Sequence, residues 1–580
     1  MAQLAAAPAG SVTLGSSHWQ KQYAEAMEVY SGFDDDSLLH GFRLRAGLPA
    51  PGRPLTGWCA RDSSMVLGQF LSTLAMFGAA QGDDDAIRQK AARLTEGWAQ
   101  TFGLSGFSDL DHRMSPGGHY AFDKFVGGFT DVGSLLGVDT AYDALRELTT
   151  AGERYLDCSN VPASPVPALH SGRAGEWYTL SENLYRAAVA TGDDRYRAFG
   201  DVWNYDHYWD GFRDTDRPAD VWGVHAYSHL NTFGGAITSF GITGDADRLA
   251  IARNAYDFFT QTQCYATGGF GPAERIQPYG SLPASLDRRM DGFEAPCGSW
   301  AAFKLARELI LQTGDGRYGA WIERLFYNGI GAALPTRPDG SHFYYADYRP
   351  TGAVKARARD TFCCCAGTYG QAVASYPGLV FFVDDRSVYV NLFTPAQIVH
   401  AAGGDEVRVR IETEYPLRPA VRVHVSIPRP MRFRLALRIP TGTGSIGPVR
   451  VGGDEVVATT QERGWLIVDR EWTAGAHVVD FEVALDWHEE PIDEDHPDRY
   501  ALMRGPAVYV LDAWRHEPLP GAPWPDDDTA DGREDRGGVA HAVEQRGGPY
   551  EAALRPYFEI PEGWSYRMYF DRSPHAHPIY

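Results

Sequence analysis

Basic residues are in short supply. The chain has 580 residues, with 53 Lys and Arg set against 75 Asp and Glu, for a formal net charge of −22. So acidic a chain is repelled by phosphate backbones and anionic lipid, which argues against nucleic acid and membrane surfaces as partners. Long hydrophobic runs are missing too, and nothing approaches the roughly 18 apolar residues that cross a bilayer. The opening MAQLAAAPAGSVTLGSSHWQ has neither Lys nor Arg and no sustained apolar core, unlike a secretory leader. Cysteine is scarce: there are seven, and three of them are consecutive. An odd number with that spacing is no disulfide framework, and a bond between adjacent cysteines strains its short ring. These absences together lead to the expectation of a cytoplasmic protein in a reducing compartment.

What is present is an ordinary globular composition, 44% hydrophobic, with an aromatic share of 13% that includes 15 Trp and 30 Tyr. Rings suit sugar faces, a weak pointer to carbohydrate. One turn recurs in AAQGDDDAIRQKAARL, AVATGDDRYRAFG, GITGDADRLAIA and LQTGDGRYGAWIERL. In each, an apolar helical run ends at a Gly suited to the left-handed C′ position, and the next Asp can cap the following helix. Repeated helical hairpins predict an α/α toroid, of the (α/α)6 barrel type, over residues 1–378. Beyond it the apolar period changes to two in SVYVNLF, EVRVRIETEY, AVRVHVSI and FRLALRI. That predicts a β-sandwich over 379–487. RYALMRGPAVYVLDAW opens a second sandwich-like β unit over 488–580, interrupted by PWPDDDTADGREDRGG, an acidic loop expected to be mobile.

The three adjacent thiols stand in TFCCCAGTYG, residues 361–370, where toroid gives way to sheet. Upstream, DGFEAPCGSW carries Glu294 and Cys297 three positions apart, on one side of a helix start. Two thiols of the run with Cys297 and Glu294 supply three sulfurs and a carboxylate, a donor set suited to tetrahedral Zn2+. Buried cysteines can also act as small hydrophobes, but an apolar cluster gives Glu294 no reason to join it. In GGFGPAERIQPYG, Glu274 is flanked by Phe270, Pro272 and Ile276. Desolvation there suits a general acid; a surface glutamate in a loop fits the same stretch.

These segments together resemble glycoside hydrolase family 127, the zinc-dependent β-L-arabinofuranosidases of the DUF1680 superfamily. The resemblance rests on SLLHGFRLRAGLPAPGRPLTGW, SENLYRAAVATGDDRY, VHAYSHLNTFGGAITSFGITGD, FGPAERI, FEAPCGSW, FCCCAGT, VYVNLFTPAQ and ALMRGPAVYVL, which span nearly the whole chain. It implies Cys364 as nucleophile, Glu274 as acid/base, and Glu294, Cys297, Cys364 and Cys365 as zinc ligands, with Cys363 behind them. It further implies that His225 lines the sugar pocket, with His229, Glu182, Tyr178, Trp177 and Trp222 as candidates for hydroxyl binding and stacking. Relatives pair through their β domains, so a homodimer is expected.

The implied reaction is a retaining exo-hydrolysis in which a thiolate replaces the usual nucleophilic carboxylate. Two departures stand out. The family spaces its metal Glu and Cys as E-x-C, whereas this chain reads E-A-P-C, so Pro296 must fit the turn. Asp123, in HYAFDKFVGG, replaces a pocket histidine and would alter which hydroxyls are held. Two other readings stay open: a lyase, hydratase or epimerase with structural zinc, and a non-catalytic sugar-binding protein.

Overall fold

The computed structural model describes residues 4–60, 66–82, 85–105, 118–156, 176–288, 292–440, 444–455, 459–512 and 553–572. The acidic stretch PWPDDDTADGREDRGG lies outside the described residues.

Six inner helices, Leu67–Gln81, His119–Leu136, Leu180–Thr191, Ala226–Thr243, Ala295–Thr313 and Cys364–Ala374, each pack on the next, and the last returns to the first. Their outer partners are Asp85–Ser105, Asp139–Tyr155, Asp194–Val202, Ala246–Thr262 and Gly319–Asn328, while His18–Gly32 covers the sixth inner helix. The opening helix therefore closes the toroid at its far end. Because an outer helix running back separates each inner helix from the next, all six inner N-termini gather at one rim. The recurrent turn does what its residues suggest. Gly192, Gly244 and Gly314 take positive φ, and Asp193, Asp245 and Asp315 accept backbone N–H bonds at 2.9–3.0 Å. A further hairpin turns at Gly137, also at positive φ, where Val138 stands between the Gly and Asp139 and hides the pattern.

The sandwich follows from strict alternation; in Asp405–Thr413, Val407, Val409 and Ile411 are buried while Glu406, Arg408 and Arg410 face water. One sheet runs in the order Ala5–Ala6, Phe381–Asp384, Ser387–Val390, Met431–Arg438, Trp465–Trp472, Thr459–Glu462. The other runs Asp454–Glu455, Arg450–Val451, Gly475–Glu482, Ala420–Ile427, Asp405–Thr413, Ala396–Ala402, Val12–Leu14. Residues 5–14 thus supply an edge strand to each sheet, covering backbone that would otherwise template aggregation. The chain's start is stitched into the sandwich before it enters the toroid.

The C-terminal strands Trp487–Pro491, Arg499–Arg504, Ala507–Asp512, Ala553–Pro556, Ser565–Arg567 and Tyr569–Asp571 form one curled sheet, joined by Ala353–Val354 from the toroid's tail. The Asn328 side chain locks it to the ring, donating to Pro506 O and accepting from Val508 N, each at 2.8 Å.

Candidate active site at the rim of the inner helices

Each candidate chemical group reaches the rim by a distinct local device. Glu294 ends the short strand Phe293–Glu294, which pairs with Tyr345–Ala346 so that Glu294 faces Tyr345. The helix Ala295–Thr313 starts at once, with Pro296 in its first turn, where a missing N–H costs nothing. This accommodates the E-A-P-C spacing: the carboxylate comes from the strand and the Cys297 sulfur from the helix.

Glu274 sits in a tight turn in which it and Ala273 both have positive φ, 59° and 52°. Such conformations cost a non-glycine residue about 1–3 kcal/mol each and persist only where neighbours hold them. The holding comes from Ile276 N bonded to Val224 O at 3.0 Å and Gly223 N bonded to Ile276 O at 2.9 Å. The turn is thereby tied to His225, the N-cap residue of Ala226–Thr243.

The cysteine run is set by Phe362, whose φ is 45°. LTGWC, residues 55–59, clamps it: Trp58 N bonds Thr361 O at 3.2 Å, and the Cys59 thiol bonds Phe362 O at 3.3 Å. Gly57 is required there, since a Cβ would lie 2.0 Å from Thr361 O.

These devices converge on one cluster. Cys365 Sγ lies 3.2 Å and Cys364 Sγ 3.5 Å from Glu294 Oε1, and the Cys297 and Cys365 sulfurs are 3.4 Å apart. One donor atom from each of Glu294, Cys297, Cys364 and Cys365 lies within 4.8 Å of every other. Glu294 is buried, and its Oε2 has no hydrogen bond. Three sulfurs and an orphaned buried carboxylate oxygen fit a soft divalent metal better than a dry apolar core. Cys363 turns away, its sulfur 2.9 Å from His342 Nε2. His342 Nδ1 faces Gly340 O at 3.0 Å, and a carbonyl only accepts, so Nε2 takes the thiol proton's bond.

Of these sulfurs only Cys364 is partly exposed; Cys297, Cys363 and Cys365 are fully buried. Hydrogen bonding within the cluster, from Cys297 first, holds the Cys364 thiol well below its ordinary value, while burial pushes Cys297, Cys363 and Cys365 up. Burial, then the charge of Cys364, raises Glu294 to about 8. The N-termini of Ala295–Thr313 and Cys364–Ala374 also direct their positive ends here, which favours a thiolate.

Glu274 stands across from this cluster. Its Oε1 accepts from Tyr344 at 2.6 Å and from Tyr345 at 2.7 Å, and the Tyr344 hydroxyl is 3.6 Å from Cys364 Sγ. His225 lies between the acids: Nε2 is 3.7 Å from Glu274 Oε2 and 3.6 Å from Glu294 Oε2, and Nδ1 is 2.9 Å from Glu176 Oε1. Burial alone would lower His225, but the bond to Glu176 and the charges of Glu176 and Glu294 outweigh it and hold the imidazole well above its usual value.

The remaining sequence candidates lie elsewhere. Asp123 is buried, with Oδ2 2.8 Å from Lys124 Nζ and Oδ1 accepting from Asn183 at 2.7 Å, so it presents no unpaired charge to a sugar. Glu182 accepts from Lys304 at 2.5 Å, deeper in the ring. Trp177 is buried and packs on Tyr205, as does Tyr178, whose ring lies 4.5 Å from that of His229. Tyr178 reaches the site only through Ser228, 2.8 Å from its hydroxyl and 2.9 Å from His225 Nδ1. Trp222 packs edge-on against Tyr279 at 4.4 Å. Glu176, His342, Tyr344 and Tyr345 are the site residues that sequence reasoning missed.

The sequence matches the GH127 catalytic domain of β-L-arabinofuranosidase over residues 11–378 and the GH127 middle domain over 387–485. No curated protein matches it significantly. A solved GH127 β-arabinofuranosidase shares 18% identity at a TM-score of 0.70, covering 98% of each chain. A GH127 β-L-arabinofuranosidase from Geobacillus stearothermophilus T6 shares 17% identity at a TM-score of 0.69, covering 97% of this chain and 99% of its own. With the catalytic and middle domains matched in order, the chain belongs to the GH127 β-L-arabinofuranosidase family of glycoside hydrolases.

Proposed function

We propose that this chain is a zinc-dependent, retaining exo-glycosidase that removes a terminal β-L-arabinofuranoside, with Cys364 as nucleophile and Glu274 as acid/base. One observation carries the reading: the single partly exposed sulfur of the cluster shares the hydroxyl of Tyr344 with the carboxylate across from it. Retaining enzymes bring nucleophile and acid/base within roughly 5–5.5 Å, and a hydroxyl in reach of both groups favours a pair set that close.

Zn2+ held by Glu294, Cys297, Cys364 and Cys365 would keep thiolates ionised at neutral pH. Cys364 attacks the anomeric carbon, forming the C–S bond as the C–O bond breaks, and Glu274 gives its proton to the departing oxygen. Glu274, now a carboxylate, takes a proton from water. That water's oxygen bonds the same carbon and returns the electron pair of the C–S bond to sulfur. Tyr344 and Tyr345 fix Oε1, leaving Oε2 toward His225 and the substrate. The pairing of Asp123 with Lys124 supports a pocket in which that acid does not itself take the sugar's hydroxyls.

The test is metal content together with turnover. Purified protein should hold one zinc per chain, and Cys364→Ser should fold yet lose hydrolysis of an aryl β-L-arabinofuranoside. Undiminished hydrolysis by that variant refutes the assignment, and an unsaturated product by proton NMR would make the enzyme a lyase.

A further inference from the structure

The opposite end of the toroid holds a cavity of about 690 Å³, a size typical of small-molecule sites. The C-terminal halves of the inner helices build it, with Met76, Ala80, Ile242, Trp300 and Phe303 on its wall and residues 7–12 along one side. Two apolar residues on its lining, Leu135 and Val189, are left 38% and 70% exposed. Apolar side chains held in water around an apolar cavity mark a binding surface more often than a defect.

The charges lining this cavity select what could enter. Lys304 pairs with Glu182 at 2.5 Å, Arg307 with Glu308 at 2.7 Å, and Arg186 with Asp131. Every one of these cations is matched by an acid, so an ionic ligand would lose its water and gain no counter-charge. Lys304 nevertheless has N–H capacity to spare. Among the described residues its hydrogen-bond partner is Glu182, and its ammonium lies 5.7 Å from the Trp300 ring centroid. A donor beside an aromatic face, in a wall whose other charges are paired with one another, suits a hydroxyl joined to an apolar body.

We propose that this cavity is a second ligand site, for an uncharged amphiphile whose apolar part lies on Trp300 and Phe303 and whose hydroxyl or ether oxygen accepts from Lys304. It accounts for Glu182, which the reaction at the rim does not use. The site stands whether or not the rim chemistry is as described above.

Calorimetry on the whole enzyme tests it, with n-octyl β-D-glucopyranoside below its micellar concentration, D-glucose and sodium octanoate as separate probes. The octyl glucoside should bind saturably at one site, with glucose and octanoate at least tenfold weaker. Ala80→Trp, which fills the cavity, should weaken octyl glucoside at least tenfold while aryl arabinofuranoside hydrolysis stays unchanged. Val189→Asp, at the exposed rim, should weaken it severalfold without touching the core, and so serves if the tryptophan variant fails to fold. Cys364→Ser should leave the binding as it was. Octanoate binding as tightly as octyl glucoside, octyl glucoside binding that survives both cavity variants, or binding lost in Cys364→Ser would each overturn the proposal.

Discussion

The hydroxyl of Tyr344 donates to Oε1 of Glu274 at 2.6 Å while standing 3.6 Å from the sulfur of Cys364. A single phenol thus touches both groups that the proposed reaction needs. Hydrogen bonds to charged partners contribute about 1.5–3 kcal/mol. Tyr344→Phe should therefore lower kcat/KM about 10- to 100-fold, with zinc content and melting temperature unchanged. Steady-state kinetics beside metal analysis checks this; loss of zinc would assign Tyr344 a structural role instead.

Glu274→Gln removes both the proton donor and the later base. General acid–base catalysis contributes roughly 10²–10⁴-fold. With a nitrophenyl leaving group, which departs without protonation, bond cleavage should be spared and the second step slowed. Stopped-flow traces should show a burst of nitrophenol followed by slow turnover. A linear trace at the wild-type rate would exclude Glu274 as acid/base.

Gly367 follows the cysteine run, and a Cβ there would lie 2.1 Å from Gln69 Oε1. Gln69 belongs to the first inner helix and also reaches Cys364 O, at 3.5 Å. Gly367→Ala must displace the buried Gln69 side chain, and with it the support that Gln69 gives to Cys364 O, at a cost of about 1–3 kcal/mol. The variant should melt earlier and bind zinc more weakly, read by denaturation and by chelator competition.

His18 lies where the opening helix meets the C-terminal sheet, its ring 5.3 Å from that of Phe558. Burial, reinforced by the charges of Lys355 and Lys21, lowers it to about 4 against an ordinary 6.5. A depressed histidine must stay neutral in the fold, so its share of stability is present above pH 6.5 and lost as pH falls toward 4. Urea midpoints should decline across that window, and His18→Phe should flatten the decline. An unchanged slope in the variant would place the acid sensitivity elsewhere.

Local chemistry was legible in the sequence, and long-range pairing was not. The Gly-Asp turns announced the hairpins because the Gly φ and the Asp cap lie within two residues of each other. Cys364 and Cys365 are adjacent and Glu294 and Cys297 are three apart, so each half of the cluster could be read directly, and the structure brings the halves together. Tyr344 and Tyr345 meet Glu274 across some seventy residues, and the two-residue ladder that sets Tyr345 beside Glu294 is too short to leave a pattern. Asp123 and Glu182, expected to touch the sugar, are buried on inner helices. No periodicity reveals that Lys124 and Lys304 satisfy them.

Covalent trapping tests the central claim most directly. The enzyme is incubated with an epoxide-bearing arabinofuranose analogue, digested, and mapped by peptide mass spectrometry. The account predicts one adduct per chain, on Cys364, prevented by excess arabinofuranoside and absent from Cys364→Ser. An adduct on Glu274, Glu294 or Glu176, with Cys364 unmodified, would contradict it.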